Sequence, residues 1–166
     1  MTVKERLKAL RILMKEKGVD AYLVPTDDFH GSEYVGDYFK CRKYITGFTG
    51  SAGTAVIMKD MAGLWTDGRY FIQAADQLRG STIELFRSGE PGVPTVHQFL
   101  AEKLEKSMCL GFDGRTVSAK EAEELAGLKR FLLEYTLIPN RQAVEVTLFE
   151  EYMVFAQMLG IAKEVS

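Results

Sequence analysis

Hydrophobic positions along the chain recur first at helical spacing and then at strand spacing. Val3, Leu7, Leu10 and Met14 follow one another at four, three and four residues with Lys and Glu between them, which predicts an amphipathic helix over 2–17 stopped by Gly18. Ala21 to Val24, ended by Pro25, predicts a short buried strand. The segment 26–48, TDDFHGSEYVGDYFKCRKYITGF, mixes polar and aromatic residues without a period and predicts two or three short helical turns at most. In 54–65, Thr54, Val56 and Met58 alternate with Ala55 and Ile57, Lys59-Asp60 breaks the run, and a second apolar stretch extends from Ala62 to Trp65. That is a β-hairpin pattern.

Asp67-Gly68 then supplies a turn into a helix predicted over 69–79 and ended by Gly80. Ile83 to Phe86 reads as a strand, 89–93 as a turn, and Val96, Phe99, Leu100 and Leu104 as a helix that begins at Pro94-Thr95. Met108 to Phe112 is a further short strand. Ser118 with Glu121 three positions later starts a capped helix ending near Gly127, and Phe131 to Ile138 is a sixth strand closed by Pro139-Asn140. About six strands alternate with helices, so the expected fold is α/β, a mixed sheet flanked by helices. The last helix, 143–162, is apolar on several faces, and is expected to pack against something beyond one small domain or to lie where a longer protein continues. The expected division is a domain over 1–139 and a carboxy-terminal helix, linker or truncated tail over 140–166.

Composition narrows the class. With 46% hydrophobic and 27% charged residues in 166, the chain is long enough to bury a core, which excludes disordered and fibrous classes. A net charge of −2 with scattered Lys and Arg predicts neither a nucleic-acid nor a membrane-surface partner. The charged start and the lack of any run near the length of a membrane span predict a soluble cytoplasmic protein. Cys41 and Cys109 fall in no CxxC or Cys/His pattern, so they are expected to be ordinary thiols.

Four groups carry possible chemistry. Gly47, Gly50 and Gly53 recur every third residue but lack the spacing of a phosphate loop and precede a strand, so they are assigned to tight backbone turns under packed aromatics. Ser51 lacks the first glycine and the following helix of a nucleophile elbow. Asp27, Asp28, His30 and Glu33 form the best local candidate for a metal or acid–base site, yet the other histidine, His97, lies far along the chain, and a catalytic metal needs three or more ligands. Capping of turns, or one wall of a pocket completed by another domain, is the expected use of these residues. Arg69 has two readings: an ion pair with Asp67 or a loop acid, or a planar donor fork for a carboxylate or peptide carbonyl. Trp65 is expected in the core.

Three motifs in order and spacing, His30-x-Ser32-Glu33-Tyr34, Gly47-Phe48-x-Gly50-Ser51-Ala52-Gly53-Thr54-Ala55 and Trp65-Thr66-Asp67-Gly68-Arg69-Tyr70-Phe71-x-Gln73-Ala74, resemble the amino-terminal creatinase-like domain of Xaa-Pro aminopeptidases of the long, three-domain type. The resemblance is strongest over 21–78, looser through Leu125 and fades beyond about residue 138; Arg141 to Ser166 departs from it. It implies a mixed sheet flanked by helices, and a function divided between domains. Hydrolysis before proline belongs to a separate carboxy-terminal domain of pita-bread fold that holds two divalent metal ions, manganese being the usual one. Two histidines in all cannot supply those ligands.

By the same resemblance, this chain has no catalytic or metal site of its own and contributes to substrate access, peptide contact and homodimer assembly, the substrates being short peptides with proline second. Arg69 matches the arginine that contacts bound peptide, and His30 is a secondary candidate at the rim. The alternative is a stand-alone protein- or peptide-binding module using the groove beside Arg69. An amidinohydrolase, as in creatinase, fits the motifs at 47–55 and 65–74 less well.

Overall fold

The first helix forms because its ends are satisfied as well as its face. In the computed structural model, which describes residues 1–28, 35–118 and 120–125, α1 spans Val3–Lys17, with Thr2 and Glu5 closing a capping box and Gly18 ending it at φ 68°. Leu7 and Met14 face inward. Among the described residues the further elements are β1 (Ala21–Pro25), α2 (Cys41–Thr46), β2 (Thr54–Met58), β3 (Ala62–Thr66), α3 (Phe71–Gln77), β4 (Ile83–Arg87), α4 (Val96–Lys103) and β5 (Leu110–Phe112), with a 3-10 turn at Asp37–Phe39. The helix capped by Ser118 is described over 120–125, where the Glu121 amide donates to the Ser118 hydroxyl at 3.1 Å.

The five strands form one sheet in the order β4-β3-β2-β1-β5. β2 is antiparallel to both β1 and β3, while β5 pairs parallel with β1 and β4 parallel with β3. Four strands therefore run the same way and only β2 opposes them. The carboxyl ends of β1, β3, β4 and β5 lie along one edge, and the start of β2 joins them there, since Pro25 is opposite Thr54. Five strands are described where about six were expected; the sixth, 131–138, and the final helix over 143–162 lie outside the described residues.

Alternation along the strands builds two cores. Val24, Ala55, Ile57, Ala62, Leu64 and Ile83 point to the face covered by residues of α1, α2 and α3, where Leu7, Met14, Ile45, Phe48 and Leu78 pack. Ala21, Leu23, Val56 and Trp65 point to the other face, under Phe99 and Leu100 of α4. Trp65 centres that second layer. Its ring stacks on Phe86 at 4.1 Å and 5°, meets Phe99 edge-on at 4.9 Å, and its indole N–H donates to the Pro94 carbonyl at 2.8 Å.

The stack requires Gly63. A Cβ there would lie 2.7 Å from the Trp65 ring and 2.8 Å from Phe86. Gly63→Ala is therefore expected to push the two rings apart and to destabilise the fold by about 1–3 kcal/mol. A lowered urea midpoint with a shifted emission of the single tryptophan checks this; an unchanged midpoint contradicts it.

Candidate functional site

At the carboxyl edge the loop between α2 and β2 is built around one buried cation. Arg42, Ile45 and Thr46 are the inward residues of α2, and Arg42 is only 3% exposed. Its Nε donates to the Thr26 hydroxyl at 2.7 Å, Nη1 to the Phe48 carbonyl at 2.9 Å, and Nη2 to the Gly50 carbonyl. Thr26 passes the link on, its hydroxyl donating to the Gly53 carbonyl at 2.6 Å and its amide to the same oxygen at 3.0 Å. The guanidinium also lies over the Phe48 ring at 4.7 Å. Burial lowers its pKa to about 10, so it stays charged at neutral pH.

That grip sets the glycine loop against α3. A side chain at Gly50 would collide with Phe48 and come within 2.8 Å of Tyr70. The Ser51 and Tyr70 hydroxyls share a hydrogen bond at 2.7 Å, Tyr70 meets Phe48 edge-on, and the buried Thr66 hydroxyl donates to the Ala52 carbonyl at 2.7 Å. Gln77 accepts the Thr49 amide at 2.9 Å. The glycines thus serve close backbone packing, and Ser51 is engaged with a phenol.

Where β3 ends, Asp67 holds Arg69. One carboxylate oxygen accepts the Arg69 amide and Nε, both at 3.0 Å, and the other accepts Nη2 at 2.9 Å. These bonds hold the Asp67 carboxyl below its ordinary range, the side-chain bond from Arg69 first among the causes. Both side chains are well exposed, 59% for Arg69 and 41% for Asp67. The structure shows the first reading of Arg69, the pair with Asp67, in a side chain that stays well exposed.

Where β5 ends, Asp113-Gly114-Arg115 repeats this arrangement. Asp113 accepts the Arg115 amide at 3.0 Å, Nε at 2.9 Å and Nη2 at 2.6 Å. Here Nη1 also donates to the Tyr38 hydroxyl at 2.9 Å, which ties the 3-10 turn to the sheet. The two forks stand three strand positions apart, about 14 Å at the usual spacing.

An open groove of about 650 Å³ lies beside Arg69 along α3, lined also by Ile72, which is almost fully exposed, and by Arg79 and Arg87. Arg79 pairs with Asp76 at 3.0 Å, and Arg87 approaches Glu90 at 3.8 Å. Of the acidic loop candidates, Asp27 and Asp28 follow β1, half-buried, with the Asp28 amide donating to Asp27 at 2.8 Å; His30 and Glu33 lie outside the described residues. Among the described residues no group of three or more His, Cys, Asp or Glu is placed to hold a metal ion.

Residues 6–145 match the family model described as the creatinase/prolidase N-terminal domain. The chain belongs to that family. It is 50% identical over 127 residues to aminopeptidase P2 of Arabidopsis thaliana, a stretch covering 75% of this chain and 18% of the plant protein. A probable Xaa-Pro aminopeptidase P of Coprinopsis cinerea is 43% identical over 140 residues, covering 83% of this chain and 22% of the other. Among solved structures, the chain is similar to a Caenorhabditis elegans X-prolyl aminopeptidase, described as a cytosolic enzyme with a di-nuclear active site, at TM-score 0.73 and 33% identity, over 86% of this chain and 27% of that one. It is also similar to the creatinase/prolidase-like N-terminal domain of a putative metallopeptidase from Corynebacterium diphtheriae, at TM-score 0.56 and 28% identity, covering 75% and 86%. The chain thus spans about a fifth of the length of the curated relatives it matches and corresponds to the N-terminal domain of Xaa-Pro aminopeptidase-like proteins.

Sequence reasoning singles out Arg69 and passes over Arg42. The available signal was its register: Arg42 sits three and four residues before Ile45 and Thr46, on their face of α2. Arg42→Met is expected to cost about 3 kcal/mol, because three loop oxygens lose their donor. Arg42→Lys restores only part of this, since one ammonium cannot span three acceptors in a plane. Urea unfolding of both variants reads the difference, and an Arg42→Lys protein as stable as wild type contradicts the account.

Proposed function

We propose that this chain is the non-catalytic amino-terminal domain of a metal-dependent Xaa-Pro aminopeptidase, limiting access to short peptides with proline second and contacting them through Arg69. The observation that carries the reading is the Asp67–Arg69 fork, a guanidinium held in plane by two oxygens yet more than half exposed at the carboxyl edge of the sheet. In open α/β sheets that edge is where ligands bind. A planar fork suits a carboxylate or peptide carbonyl, whose oxygens accept in the plane in which it donates.

The share of its relatives that this chain spans supports placing hydrolysis elsewhere in a longer protein. In this reading the pita-bread domain of the same protein holds two divalent metal ions, manganese being the expected pair. No step runs through a metal on the described residues, which bind and orient. In this reading residues 1–139 are the domain and 140–166 a carboxy-terminal helix, linker or truncated tail, His30 is a secondary contact at the rim, and the protein works as a homodimer in the cytoplasm.

In the intact peptidase, Arg69→Gln is expected to raise KM for a tripeptide with proline second about tenfold, roughly 1.4 kcal/mol, with kcat little changed. The 166-residue chain alone, with manganese added, is expected to release no amino acid from that tripeptide. An unchanged KM overturns the role of Arg69, and metal-dependent cleavage by the chain alone overturns the division of labour.

A further inference from the structure

We infer that Tyr70 is a positioning residue for Arg69, its ring being the plane against which the guanidinium is set; this rests on the reading of Arg69 as the peptide contact. The Arg69 guanidinium carbon lies 5.3 Å from the Tyr70 ring centroid, within cation–π range. The ring itself is fixed on three sides. Its backbone amide closes the turn onto the Asp67 carbonyl at 3.0 Å and its carbonyl accepts the Ala74 amide at 2.8 Å, so it belongs at once to the fork's turn and to α3. Its ring makes a T-shaped contact at 5.8 Å with Phe48, which is fully buried, and its hydroxyl reaches Ser51 at 2.7 Å on the loop gripped by Arg42.

An exposed ion pair offsets little of the rotamer entropy of a long side chain, whereas a ring locked into the core adds a surface that does not move with solvent. The second fork makes the same point independently. Arg115, held by Asp113 in matching geometry, also lies over aromatic rings, Tyr38 at 5.3 Å and Phe39 at 5.8 Å. In both places a bidentate carboxylate and an aromatic ring meet the same guanidinium.

The Asp67 carboxyl reports whether Arg69 is in place, because the Arg69 bond is the main cause of its lowered pKa. Carbon-detected NMR titration of the 166-residue chain therefore tests the inference without peptide. In Tyr70→Leu the Asp67 midpoint is expected to rise to the value seen in Arg69→Gln. In Tyr70→Phe and Ser51→Ala, which remove the same hydrogen bond and keep a ring, it is expected to rise part of the way. An Asp67 midpoint in Tyr70→Leu equal to wild type overturns the positioning role. Should Tyr70→Leu fail to fold, unchanged midpoints in both milder variants overturn it instead. The readings fail separately: a raised midpoint with an Arg69→Gln enzyme of unchanged KM keeps the positioning role and removes the peptide contact.

Discussion

The structure depends on a cation buried where a hydrophobic residue would ordinarily sit. Arg42 belongs to the inner face of α2, and its desolvation is offset by three neutral oxygens and the face of Phe48. A hydrophobic residue there would fill the space but leave the loop carbonyls of Phe48 and Gly50 without these donors. The guanidinium does both. It turns a glycine-containing loop, which would otherwise sample many conformations, into a fixed wall against which Tyr70 can pack.

Strand direction decides where that wall stands. Because β2 alone runs against its neighbours, the loop entering it arrives at the same edge as the carboxyl ends of β1 and β3. Thr26 after β1, the loop before β2 and Asp67 after β3 thus meet through short links: Thr26 to Gly53, Thr66 to Ala52, and Ser51 to Tyr70. An all-parallel order would have sent the glycine loop to the opposite edge. The hairpin is therefore what brings the loop and the fork together.

Much of this was legible in the chain. Alternation marked β2, short apolar runs marked the other four described strands, and Gly18 and Pro94-Thr95 marked the end of α1 and the start of α4, because those signals are local. Trp65 as core followed from its place in an apolar run. Arg42 was not legible, since a charged residue inside a polar, aromatic segment counts as surface until α2 is known to turn that face inward. Asp113–Arg115 was hidden differently: its significance lies in sharing a geometry with Asp67–Arg69, and two strands of one direction must be placed before the likeness shows. Arg69 was legible because a turn ended in a cation at the close of a hairpin.

The two forks differ in exposure, and that difference supports the role proposed for Arg69. Their hydrogen-bond geometry is nearly the same, so whatever distinguishes them lies in their surroundings. The Asp113 carboxylate is only 15% exposed, and the Arg115 bond to Tyr38 makes this pair a clasp between the 3-10 turn and β5. Arg69 and Asp67 are far more exposed, and an ion pair in that setting contributes at most about 1 kcal/mol to stability. A bidentate pair, an aromatic plane and a loop anchored by a buried guanidinium are more than such a small gain requires. Together they fix the orientation of the Arg69 guanidinium at the carboxyl edge of the sheet, and a fixed donor plane is what the proposed recognition of a carboxylate or carbonyl would need.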